Sequence, residues 1–102
     1  MPGVGKLLKQ AQKMQKAMEA VQNELANLEV EGSAAGGAVK AVVSGQGALK
    51  SIKLDPEFLK ADVSSVEASL VAAVQDAAEK AKQKSEEEMN KVTGGFSIPG
   101  LL

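Results

Sequence analysis

Four lysines, Lys6, Lys9, Lys13 and Lys16, recur at a 3-4-3 spacing near the start of the chain. On a helix this spacing stacks side chains along one face, and a row of ammonium groups can neutralise a row of phosphates. It equally suits the wet side of a helix that binds nothing. Through Met18 the count is four lysines and no acids, whereas Glu19, Glu24, Glu29 and Glu31 give residues 19–31 a count of minus four. A formal net charge of −1 therefore conceals a segment with two electrical ends.

Other chemistries have little to work with. The chain has no cysteine and no histidine, which removes disulfides, thiolate nucleophiles, imidazole bases and nearly all zinc or transition-metal sites. Serine and threonine are present, but the common triads cannot be assembled around them. Glu86, Glu87 and Glu88 are consecutive, and on a helix such neighbours point about 100° apart, so they read as a solvated face rather than a metal cage. "GSAAGG" and "GQG" match neither a phosphate loop nor a dinucleotide fingerprint and read as hairpin turns. No catalytic residue, cofactor, metal or small-molecule substrate is expected.

The residue types also limit how nucleic acid could be held. All twelve basic residues are lysine, so the bidentate contact of arginine with guanine is unavailable. With no Trp or Tyr there is little on which bases could stack. Binding through these lysines would be mainly to phosphate, with weak sequence preference from Lys, Gln and Asn contacts or from DNA shape.

The lysines need an element to position them. From Val4 the apolar residues run Val4, Leu7, Ala11, Met14, Met18, Val21, Leu25 and Leu28, an unbroken heptad alternation that predicts one seam on a long helix. Lys6, Lys9, Lys13 and Lys16 fall at the outward c and f positions of the same heptads. A helix of about 25 residues is close to 40 Å long at roughly 1.5 Å per residue. A domain of this size cannot cover it alone, so the seam of Leu7, Ala11, Met14, Met18, Val21 and Leu25 is expected to serve the core in part and a second copy of the chain in part.

Glycines then punctuate short β-branched runs, predicting three antiparallel strands near 29–34, 38–44 and 48–54. Val39, Ala41 and Val43 share one face of the second strand, and Ile52 and Leu54 one face of the third. Lys40 and Lys53 lie opposite, with Lys50 at the sheet margin. Asp55-Pro56 ends the third strand, and "EFLKA" forms a short helix or turn with Phe58 and Leu59 as its apolar anchors. A second long helix starts at Asp62 or Ser64, with Glu67 completing a capping box for Ser64. Val63, Val66, Leu70, Val74, Ala77 and Ala81 form its apolar stripe. Beyond Ala81 it has almost nothing to bury and is expected to stand in solvent, supported by pairs such as Lys84 with Glu88 and Glu87 with Lys91.

At 102 residues the chain is expected to be one domain over 1–95, ended by Gly94-Gly95, with an apolar tail over 96–102. Only Phe58 and Phe96 are aromatic, so the core must be aliphatic, which suits helix packing. No apolar stretch approaches the roughly 20 residues needed to cross a bilayer, and the start lacks the apolar block of a secretory signal. A soluble cytoplasmic protein with no membrane partner is expected.

The order of these pieces carries a resemblance. "LLKQAQKMQKAM" in the first helix, "LEVEG" at its junction with the sheet, "AVKAVVSGQGALKSIKLDP" through the strands, and "LVAAVQDAAEKA" in the last helix extend over nearly the whole chain. Lys9-Gln10-Ala11-Gln12 followed by Met14-Gln15, and Asp55-Pro56 after an alternating strand, are the most specific. In these the chain resembles the YbaB/EbfC family of bacterial nucleoid-associated proteins. The resemblance implies an α+β fold, a homodimer with long helices projecting like the arms of tweezers, and binding to double-stranded DNA in the cytoplasmic nucleoid without enzymatic activity. It adds Lys80, Lys82, Lys84 and Lys91 of the last helix to Lys6, Lys9, Lys13 and Lys16 as candidate DNA contacts. The competing reading is a non-enzymatic adaptor that binds another protein through the C-terminal arm and tail.

Overall fold

The computed structural model describes residues 2–95, in the order helix, three strands, helix. Helix α1 (Pro2–Asn27) leads directly into β1 (Glu29–Ala34), and a single 3-10 turn (Ala35–Gly37) returns the chain as β2 (Val39–Ser44). A second hairpin gives β3 (Leu49–Leu54), another 3-10 turn follows (Pro56–Lys60), and α2 (Val63–Gly95) closes the described chain. The architecture is α+β, with a meander sheet of order β1-β2-β3. The apolar tail expected over 96–102 lies outside the described residues.

Local chemistry explains the boundaries. Asp55 Oδ1 accepts a hydrogen bond from the Glu57 amide at 3.1 Å, while Pro56 occupies the first turn, where no amide is needed. Asp62, rather than Ser64, begins α2: its carboxylate accepts from the Ser65 amide at 3.2 Å, the Ser65 hydroxyl at 2.7 Å and the Ser64 hydroxyl at 3.2 Å. The Ser64–Glu67 capping box is therefore not formed, because Ser64 already turns its hydroxyl back to the cap. At the other end of α1, the Leu25 carbonyl accepts from the amides of Gly45 at 2.7 Å and Leu28 at 3.2 Å, which satisfies a carbonyl the helix leaves open.

The core lies between α2 and the first two strands. Val39, Ala41 and Val43 of β2 and Ala73, Ala77 and Ala81 of α2 are all at most 1% exposed, and Val30, Leu70, Val74 and Phe58 pack around them. Alanine at every fourth position of α2 brings the helix backbone down onto the sheet. Gly32 of β1 completes this approach, since a Cβ there would run into the backbone of Ala73 and Ala77. Gly45 plays the same part against the Leu25 backbone.

Strand β3 departs from the expected alternation. Val42 opposes Ser51 but Val43 opposes Leu49, so Lys50 is the extra residue of a bulge. The bulge places Leu49, not Lys50, on the face shared by Ile52 and Leu54. That face is largely uncovered, with Leu49 53% and Ile52 40% exposed, because α2 packs over β1 and β2 rather than β3.

The end of α2 does not stand alone, contrary to expectation. Gln22 of α1 donates through Nε2 to the Met89 sulfur at 3.8 Å, and Met14, Ala17, Met18, Val92 and Thr93 are half-buried. The two helices run antiparallel as one arm, and the chain extends over 71 × 23 × 16 Å.

Candidate nucleic-acid interface

Helix α1 is two things in sequence. Its second half is structural: Val21 and Leu25 are buried, and Met14 and Met18 half-buried. Its first half is exposed on every side from Gly3 to Lys13, including the seam residues Val4 at 54% and Leu7 at 53%. Ala11 is exposed as well. The expected seam is thus covered in its later half and open in its earlier half.

Lys6, Lys9, Lys13 and Lys16 stand on this open half and its junction with the arm, all exposed. Over residues 6–16 they span about 15 Å of helix at roughly 1.5 Å per residue. None has a carboxylate within 4 Å among the described residues. Their order also runs against the helix dipole, which favours acids near the N-terminus and bases near the C-terminus; α1 has no acid in its first turn and no base in its last. Gln12, Gln15, Lys16 and Glu19 border an open groove of about 400 Å³ on the same segment.

The lysines of α2 are differently placed. Lys80 Nζ lies 3.0 Å from Asp76, Lys84 3.3 Å from Glu88, and Lys91 3.2 Å from the same Glu88 oxygen. The Lys84–Glu88 pair is the one expected, but Lys91 takes Glu88 at i,i+3 in place of Glu87. Hydrogen bonds lower the pKa of two of these carboxyls. The Ser33 amide, then Lys80, holds Asp76 below the usual carboxylate range, and Lys91, then Lys84, does so for Glu88. Over residues 79–91, four lysines face four glutamates, so the stretch has no net charge, whereas 6–16 carries plus four.

Lys82 has no such carboxylate among the described residues. It borders a cleft of about 230 Å³ formed by Gly45, Gln46 and Gly47 of the β2–β3 hairpin with Ala78, Ser85 and Glu86 of α2. The hairpin amides are already used: Ser44 Oγ accepts from Gln46 at 3.2 Å and Ala48 at 3.1 Å, and the Ser44 carbonyl accepts from Gly47 at 2.9 Å. The loop therefore lacks the open amides of an anion cradle. Its role is mechanical, because Gln46 Nε2 donates to the Gln22 carbonyl and to Gln22 Oε1, both at 3.1 Å. A chain of contacts from Gln46 through Gln22 to Met89 fixes the arm to the sheet. Spacing does not disclose these polar links, because each joins residues distant in sequence.

The sequence model of the family described as the YbaB/EbfC DNA-binding family matches residues 1–96. "Nucleoid-associated protein TTE0040" of Caldanaerobacter subterraneus subsp. tengcongensis is 44% identical over 100 residues, covering 97% of this chain and 90% of that protein. "Nucleoid-associated protein CA_C0126" of Clostridium acetobutylicum is 42% identical over 106 residues, covering 98% and 95%. The crystal structure of the uncharacterized protein HP0035 from Helicobacter pylori superposes with a TM-score of 0.73 at 18% identity, over 82% of this chain and 89% of that one, which establishes likeness of fold.

Proposed function

The chain belongs to the YbaB/EbfC DNA-binding family, and from that premise we propose that it binds duplex DNA as a homodimer, mainly through phosphate contacts made by Lys6, Lys9, Lys13 and Lys16. The observation that carries this reading is the row of four lysines without carboxylate partners on the open half of α1. Along about 15 Å, one DNA strand presents roughly four phosphates at 3.4 Å of axial rise each, enough to engage the row. Lys82 adds a lesser contact. Lys80, Lys84 and Lys91 contribute less still, because binding must first loosen their hold on Asp76 and Glu88.

The homodimer is supported by apolar surface that one chain leaves open. Leu49 and Ile52 on β3 face the side on which α2 lies, and Val71, 57% exposed, is two turns before Ala78 on the flank of α2 that borders the β2–β3 hairpin. Leu59 and Val63, at 55% and 72%, follow in the connection between them. A second copy covering this face would also double the number of free α1 lysines. The mass in solution checks it: the wild-type chain is a dimer and Ile52→Asp with Val71→Asp a monomer.

Two relatives named as nucleoid-associated proteins support a place in the nucleoid, and a role in nucleoid organisation and gene regulation is part of the proposal. Catalysis has no part in this reading. Fluorescence anisotropy with a duplex tests it: charge reversal of the four α1 lysines to Glu abolishes binding at low salt while the dimer persists. Binding retained by that dimer overturns it.

A further inference from the structure

We propose that the ridge formed by Leu8, Gln12 and Gln15 on α1 reads A·T base pairs in the major groove, so that the segment gripping phosphate also selects sequence. The inference rests on the DNA-binding reading above and adds a specificity to it. What covers the helix singles out the ridge. Met14, Ala17 and Met18 are half-buried and Val21 and Leu25 buried, which fixes the side of α1 that faces α2 and the sheet. At about 100° per residue, Leu8, Gln12, Gln15, Lys16 and Glu19 all point at least about 100° away from the middle of that side. The arm therefore lies behind the ridge, and the groove bordered by Gln12, Gln15, Lys16 and Glu19 opens outward.

The side chains on the ridge match what an A·T pair presents. Gln12 and Gln15 are exposed and their amides make no hydrogen bond among the described residues, whereas those of Gln22 and Gln46 are committed to holding the arm. A glutamine amide offers a donor and an acceptor together, the complement of N7 and N6 of adenine in the major groove. Leu8 is 60% exposed at a position outside the heptad seam, one turn before Gln12, where an apolar side chain can meet the methyl group of thymine. Gln10, by contrast, points to the side of the helix on which α2 lies. Dimensions fit as well: a helix with its side chains is about 10–12 Å across and the major groove about 12 Å wide. Leu8 to Gln15 rises about 10 Å, three base-pair steps at about 3.4 Å each. All four lysines lie to one side of the ridge, so they hold the phosphates of one strand while the amides turn to the base edges. Glu19 ends the ridge, and its repulsion of phosphate sets the limit of the contact.

Anisotropy of the full-length chain with two short duplexes of alternating A·T sequence tests it, one carrying 7-deazaadenine in place of adenine. The modified base lacks N7 and leaves every phosphate in place. Wild type is expected to bind the unmodified duplex about tenfold more tightly, within the range of a bidentate base contact. Gln12→Ala with Gln15→Ala, on an exposed helix face, removes that preference and keeps the salt slope, while Gln10→Ala changes neither. Uracil in place of thymine, which removes only the methyl group, weakens wild type and not Leu8→Ser. Equal affinity of wild type for the adenine and 7-deazaadenine duplexes, with a steep salt slope, overturns base reading and leaves phosphate binding standing. A preference that survives the double substitution overturns the assignment to Gln12 and Gln15. Absence of binding to either duplex at low salt overturns the DNA-binding reading and this inference with it.

Discussion

The two halves of α1 share one heptad pattern and have opposite fates. From Met14 onward the seam meets α2 and the Gly45 turn, and past Lys16 acids replace the lysines. Before Met14 the same seam is open and every charge is positive. Periodicity marks which face of a helix is apolar, but only the partner across that face decides whether the residues fold the domain or extend from it. Substitutions in the later half should thus cost stability, and those in the earlier half should cost binding.

The largest effect is expected beside the covered half, at the sheet. Gly32→Val drives a branched side chain into the α2 backbone at Ala73 and Ala77, and should cost about 3 kcal/mol or more, read by urea unfolding. Leu25→Ala, at a side chain 2% exposed, follows at about 2–5 kcal/mol. In contrast, Lys9→Gln on the open half should change stability by less than about 0.5 kcal/mol. If Lys9→Gln destabilises as Leu25→Ala does, the division between the halves is wrong.

The comparison extends to the two sets of lysines. Removing Lys80, Lys84 and Lys91 together should weaken DNA binding several-fold less than removing Lys6, Lys9 and Lys13, because Asp76 and Glu88 already hold the former. Equal losses in anisotropy would show that pairing does not matter.

The smallest effect concerns pH. Asp76 is held below its ordinary value when folded, so its contribution is fully present above the unfolded carboxylate range and lost as pH falls through that range toward the folded value. Asp76→Asn should therefore flatten the acid limb of the stability profile and leave the limb above neutrality unchanged. A change confined to alkaline pH would contradict the assignment.

Much of this was legible in the residues themselves. The glycine turns and β-branched runs place the strands to within a residue, since hairpin geometry is local. The face of β3 was not legible, because the bulge at Lys50 exchanges its partner with Leu49, and a bulge leaves no period of its own. Nor was the covered end of α2, where Met89, Val92 and Thr93 are too sparse to announce a partner helix; the Gln46–Gln22–Met89 links that hold it join distant residues. The α1 lysines were legible by spacing, but their freedom from carboxylates is a fact of three dimensions.

The central claim, that the open half of α1 grips phosphate, is most directly tested by the salt dependence of duplex binding. With all eight α1 lysines of a dimer on phosphates, log K falls against log salt with a slope as steep as about −7. Lys6→Gln, Lys9→Gln, Lys13→Gln and Lys16→Gln together should remove most of that slope in a protein still folded and dimeric. A slope and affinity unchanged by these four substitutions would contradict the account.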